Sequence, residues 1–159
     1  MIHLRQMRAD EFPNFIAYFV PDYAAEISEN YDVDSDLARA RAEQEVNDEL
    51  GLGVDTVGQV LLCIVKDGDT QDRPIGYLWC KPDKAGEAVF ISDFCILPPY
   101  RGNGYAKRAL KALEAMFSAS GHREMRLRVA THNRIAQQLY TTAGFSVTGI
   151  NMRKAIPKE

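Results

Sequence analysis

Residues 91–110 read ISDFCILPPYRGNGYAKRAL. A β-branched and aromatic run ends at Pro98-Pro99, crosses a turn containing Gly102 and Gly104, and enters a stretch patterned with alanine and leucine. That order predicts a strand, a tight turn and a helix. The turn places several backbone N–H donors and Arg101 at a helix N-terminus, where partial positive charge favours a phosphate. A strand that stops just short of such a turn offers its end to the rest of a long phosphorylated ligand.

Working outward, Tyr105–Ala119 carries Ala106, Ala109, Leu110, Leu113, Met116 and Phe117 at helical spacing, and Gly121 ends it. On the other side, Gln59–Lys66, Ile75–Lys81 and Ala88–Ile96 read as an antiparallel meander joined by the polar turns DGDTQDRP and Asp83–Gly86. Ile2–Met7 reads as a first strand. A helix capped by Asp10 runs to about Tyr18 and breaks near Pro21, Asp22–Asn30 continues as a second piece, and Ser35 precedes a helix through about Leu50. Gly51–Gly58 is a loop. Met125–Ala130 alternates as a strand, Asn133–Thr142 is a helix stopped by Gly144, and Phe145–Ala155 makes one or two strands. The chain is therefore mixed α/β, of the α+β kind.

The 159 residues fit one domain able to bury a core without staples, and 46% apolar with 26% charged residues is ordinary for a globular protein. A formal charge of −3 argues against nucleic acid as the main partner, although Lys and Arg cluster in Arg101–Lys111 and His122–Arg128. The longest apolar run, Val60–Val65, is too short for a bilayer, and MIHLRQMRADEF lacks the apolar centre of a signal peptide, so the expectation is a cytoplasmic protein without a membrane partner. Cys63, Cys80 and Cys95 sit in apolar runs without metal-ligand spacing and read as buried thiols; no metal is expected.

The turn RGNGYA also matches Gln/Arg-x-x-Gly-x-Gly/Ala through Arg101, Gly104 and Ala106, and about thirty residues on NRIAQQLYTTAGF matches Asn-x-x-Ala-x-x-x-Tyr-x-x-x-Gly-Phe through Asn133, Ala136, Tyr140, Gly144 and Phe145. In this order, from about Ile75 to Met152, the chain resembles the GNAT superfamily of acyl-CoA-dependent N-acetyltransferases. A nucleotide P-loop is a poorer fit because the turn lacks G-K-[ST], and no G-x-G-x-x-G with a ribose-binding acid is present. The resemblance implies the GNAT acyl-CoA N-acyltransferase fold: a central, mostly antiparallel twisted sheet of six or seven strands flanked by about four helices, splayed where strand 88–96 meets strand 125–130. One domain over 1–159 would place acceptor-side helices at about 9–50 and an acetyl-CoA-binding core at about 75–152.

The same likeness assigns roles. Backbone N–H groups from Arg101, Gly102, Asn103, Gly104, Tyr105 and Ala106 would grip the diphosphate of acetyl-CoA, and Lys107 and Arg108 would extend the positive field or simply be solvated. Strand groups at Phe94, Cys95 and Ile96 would pair with the pantetheine arm, the Phe94 N–H facing the thioester carbonyl. Asn133 would contact the coenzyme, cap its helix, or both. Tyr140 lies two turns later on the same face, where it either packs or serves the departing thiolate. Asp93 is the candidate base, with orientation of a cationic substrate or a structural hydrogen bond as alternatives; Glu87, His122 and His132 are weaker choices. Tyr23, Glu26 and Tyr31 would rim a pocket for a cationic amine, against the alternative of a solvated helix face. The implied partners are acetyl-CoA and an amine acceptor. A longer acyl-CoA, a silent coenzyme-binding module and a ligand-free interaction protein are the rival readings, and the C-terminal strand suggests a homodimer.

Overall fold

Residues 1–158 are described by a computed structural model. Long apolar runs in the middle strands require cover on both sheet faces, and the helices supply it. Strands β1 (Ile2–Gln6), β2 (Val60–Lys66), β3 (Pro74–Pro82) and β4 (Ala88–Ile96) pair antiparallel in that order, and β5 (Glu124–Leu127) adds to β4 in parallel. Helices α1 (Phe12–Tyr31) and α2 (Ser35–Glu49) cover one face, where Phe15, Phe19, Ala38 and Ala42 meet Cys63, Val65, Tyr77 and Trp79. Helix α3 (Tyr105–Ala119) covers the other: Leu110, Leu113 and Phe117 pack with Ile64, Leu78, Cys80 and Val89. Helix α4 (Arg134–Thr142) follows β5 and leans its Leu139 and Tyr140 on the same cluster.

Strand parity is kept along β2 and β3 but not along β4. Trp79 pairs with Asp93, yet Cys80 pairs with Ile91, so Ser92 is an extra residue in β4. Val89 and Ile91 face the α3 side; beyond the bulge Phe94 and Ile96 face it instead. Cys95 consequently turns to the α1 side. A bulge that flips the register in this way re-aims every side chain after it. Nearer the end of β4, opposite Ile96, Gly76 lets β3 and β4 close up: a Cβ there would run into the Cys95 carbonyl oxygen.

Three expectations from sequence are corrected. The helix expected to break near Pro21 is continuous from Phe12 to Tyr31 with Pro21 inside it. Phe15, Phe19, Ala24 and Ile27, buried on both sides of the proline, hold the two halves on one axis. The strand expected over 125–130 spans 124–127. The strands expected within Phe145–Ala155 do not form: the sheet has five strands rather than six or seven, and 145–158 carry no regular structure. Mixed α/β class, mostly antiparallel order and four α-helices stand as read. The three cysteines are free and buried, and among the described residues no helix is long and apolar enough to cross a membrane.

Candidate active site

The ladder between β4 and β5 runs from Ala88–Glu124 to Ile91–Leu127 and then stops. From Ser92 to Ile96 no strand among the described residues lies beside the β4 edge on that side, and past β5 the chain through Arg128–Ala130 is not paired with it. The strands thus part where the bulge falls, opening a V whose one wall is β4.

At the far end of β4 a 3-10 turn over Pro98–Tyr100 leads into the glycine loop. Gly102 and Gly104 have φ of 80° and 78°, in the left-handed region that a side chain penalises. A Cβ on either would meet nothing within 4 Å, so the demand for glycine comes from the backbone angle and the space before the loop is open. Helix α3 makes its first hydrogen bond from Arg108 N to Gly104 O. Among the described residues nothing accepts from the N–H groups of Gly102, Asn103 or Gly104, and Tyr105, Ala106 and Lys107 hold the unpaired first donors of the helix. The loop is kept in shape from behind: Asn103 Nδ2 donates to the carbonyls of Tyr100 and Arg101 at 3.2 and 3.1 Å, and Arg101 Nε donates to Ile96 O at 2.7 Å. Arg101 therefore ties the loop to the end of β4; its backbone N–H, expected among the loop's free donors, instead donates to Pro98 O at 3.3 Å, so the free row begins at Gly102. The Lys66 ammonium and Arg108 guanidinium lie 6.0 and 5.9 Å from the Tyr105 ring, adding positive charge beside the helix start.

Deeper in the V, Asp93 points to the α1 side as the bulge dictates. Its Oδ2 is shielded from water and has no hydrogen-bond partner among the described residues. Burial first, then the nearby Asp22 and Glu26 carboxylates, push its carboxyl up to about 8, against the pull of the Phe94 N–H. Burial, Asp93 and Glu26 push the Tyr140 phenol up to about 12. Burial and Asp93 raise the Tyr18 phenol further still. Burial, then Asp93, push the Cys95 thiol up to about 12, leaving it a poor nucleophile. Glu26 is itself raised, by burial and then by Asp22, while Arg128 and His132 favour its charge. Tyr140 is fixed against Phe145, ring centroids 5.6 Å apart, and its carbonyl accepts from Phe145 N at 2.9 Å.

The expected residues divide accordingly. The structure brings Asp93, Tyr140 and Glu26 together, with Phe94, Cys95 and Ile96 along the same strand and 101–107 at its end. Asn133 caps α4, its Oδ1 accepting from Ala136 N at 3.1 Å. Tyr31 sits at the rim, where its hydroxyl oxygen accepts from Arg128 at 3.2 Å. Tyr23 stacks on Phe19, and its phenol faces Glu45 of α2 while still feeling Glu26 and Tyr31. His132 pairs with Glu29 at 3.4 Å on the rim, whereas Glu87 and His122 lie at the opposite end of β4, near the start of β5. Sequence reasoning missed Tyr18 and Asp22, which join Glu26 and Glu29 at intervals of four, four and three on one face of α1. That periodicity was the available signal, and it was hidden by treating Pro21 as the end of a helix.

The acetyltransferase (GNAT) family pattern matches residues 17–145, and the chain belongs to that family. It is 32% identical over 157 residues to the uncharacterized N-acetyltransferase YycN of Bacillus subtilis (strain 168), covering 98% of this chain and 99% of YycN. The crystal structure of YycN superposes with a TM-score of 0.90 at 31% identity, over 99% of this chain and 100% of that one. A more distant structure, AAC(6')-Iy in complex with the bisubstrate analog CoA-S-monomethyl-acetylneamine, shares the fold at a TM-score of 0.60 and 20% identity, covering 98% and 99% of the two chains.

Proposed function

We propose that the protein moves the acetyl group of acetyl-CoA onto a primary amine of a small molecule or peptide, by direct attack while both substrates are bound. One observation carries the reading: N–H groups from Gly102 to Lys107, without acceptors among the described residues, lie past the end of β4, the strand that also carries Asp93, and Tyr140 is close enough for Asp93 to shift its phenol. A helix N-terminus backed by Arg101 suits the doubly charged diphosphate. The open β4 edge at Phe94–Ile96 suits the amide-bearing pantetheine arm.

In this reading the amine lone pair forms the new C–N bond at the thioester carbonyl while the C–S bond breaks. The Phe94 N–H, drawn to the Asp93 carboxylate in the free protein, is released as Asp93 takes a proton and then donates to the carbonyl oxygen as negative charge builds there. A free alkyl amine near pKa 10.4 must first shed a proton, and Asp93, held near 8, is matched far better to accept it than an ordinary aspartate. The departing sulfur receives a hydrogen bond from the Tyr140 hydroxyl. With that phenol near 12 and a thiol near 8.5, complete transfer is uphill by roughly 5 kcal/mol, so Tyr140 works by donating a hydrogen bond rather than by giving up its proton early. Asp22, Glu26 and Glu29 along α1 favour an acceptor that arrives as a cation. The test is a panel of polyamines, amino acids and peptides incubated with acetyl-CoA and read by mass. A gain of one acetyl group on an amine, with thiol released in equal amount, is expected; coenzyme binding without transfer to any amine would overturn the reading.

A further inference from the structure

The carboxylates of the cleft outnumber the cations that answer them. Trp79, the cross-strand partner of Asp93, packs edge-on against Phe19 of α1, so Asp93 stands on the face that α1 covers. Its Oδ2, shielded from water, finds no partner there among the described residues, and the carboxylates that act on it are Asp22 and Glu26 of α1. Asp22, Ala25, Glu26 and Glu29 follow the spacing of one helix face, and all four are exposed. Glu29 is answered by His132 at 3.4 Å, and Arg128 is held on the Tyr31 hydroxyl at 3.2 Å, so both cations that favour the charge of Glu26 are engaged at the rim. Among the described residues neither Asp22 nor Glu26 has an ion pair or a side-chain hydrogen bond. The two are one turn apart, about 6 Å along the axis, which is the reach of two charged hydrogen bonds of about 2.8 Å meeting at one nitrogen. Ala25 beside them leaves room for a hydrocarbon chain.

We infer that the acceptor is a short α,ω-diamine, one nitrogen reacting beside Asp93 while the other stays an ammonium held between Asp22 and Glu26; this rests on the acetyl-transfer reading above. An amine with one nitrogen answers Asp93 and leaves the gap on α1 empty. A carboxylate in place of the second ammonium meets two like charges and is rejected. Transfer forms the amide bond at the first nitrogen and breaks the C–S bond. Of the two protons the first ammonium gives up, one goes to Asp93 and on to solvent, the other to the departing thiolate. The second nitrogen keeps all of its own.

The test compares α,ω-diaminopropane, -butane and -pentane with butylamine and γ-aminobutyrate, by calorimetry on the protein saturated with coenzyme A and by turnover with acetyl-CoA. The best diamine should bind at least about tenfold more tightly than butylamine and exceed it as much in kcat/KM, through KM, with γ-aminobutyrate below both. Asp22→Asn with Glu26→Gln should bring diamine and butylamine within about twofold in affinity. Equal binding of diamine and butylamine by the wild type overturns the inference and leaves acetyl transfer standing. A preference that survives the double substitution also overturns it. Selective diamine binding without transfer to any amine supports the site and overturns the proposed activity instead. If the double variant misfolds by circular dichroism, the wild-type affinities decide alone.

Discussion

Asp93 is where local environment matters most. Its folded carboxyl is raised to about 8, chiefly by burial, so the native protein keeps a proton that the unfolded chain releases near pH 4. Stability attributable to this group is therefore present below about pH 4 and falls as the pH rises toward 8. Asp93→Asn should melt above wild type by about 4 °C or more at pH 8, the gap closing toward pH 4 in a series of thermal scans. In kinetics the same variant should lose an inflection near pH 8 in kcat/KM, keeping only the limb set by the acceptor amine; an unchanged profile would remove Asp93 as base. Tyr140→Phe keeps the ring that packs on Phe145 and deletes one hydroxyl. A fall in kcat of about a hundredfold, with KM for acetyl-CoA nearly unchanged, is expected in steady-state assays.

At the scale of elements, what was legible followed from patterns that run unbroken. The strand–turn–helix over 91–110 and the helix ending at Gly144 stand as read because spacing and breaker residues agree. The face of α1 was not legible, since a helix-interior proline normally argues against continuity and only the packing of Phe15, Phe19, Ala24 and Ile27 overrides it. Nor was the bulge. Residues 88–96 offer no sign that Ser92 is extra, so uninterrupted alternation would put Asp93 on the face of Ile91, away from Glu26. Two substitutions probe these elements. Gly76→Ala drives a Cβ into the Cys95 carbonyl and should cost about 1–3 kcal/mol by denaturant titration. Gly104→Ala meets no protein atom, so its effect comes from φ alone; a strain of about 1–2 kcal/mol should lower the melting temperature by roughly 2–8 °C, and coenzyme affinity should fall about tenfold by calorimetry as the loop gives way.

For the whole molecule, the division of labour follows the two faces of the sheet. One face, under α1 and α2, presents carboxylates and aromatic rings; the other, under α3, anchors the glycine loop through Leu110, Leu113 and Phe117. The bulge in β4 is the point where a side chain crosses from one to the other. The tail shows the limit of sequence reading at this scale: SVTGINMRKA is patterned as a strand, yet 145–158 carry no regular structure. The central claim is that the amides of 102–107 hold a diphosphate, and titrating coenzyme A into 15N-labelled protein tests it most directly. The account predicts that Gly102, Asn103, Gly104, Tyr105, Ala106 and Lys107 give the largest amide shifts, saturating together with the binding heat. Saturable binding that leaves those six amides unmoved would contradict it.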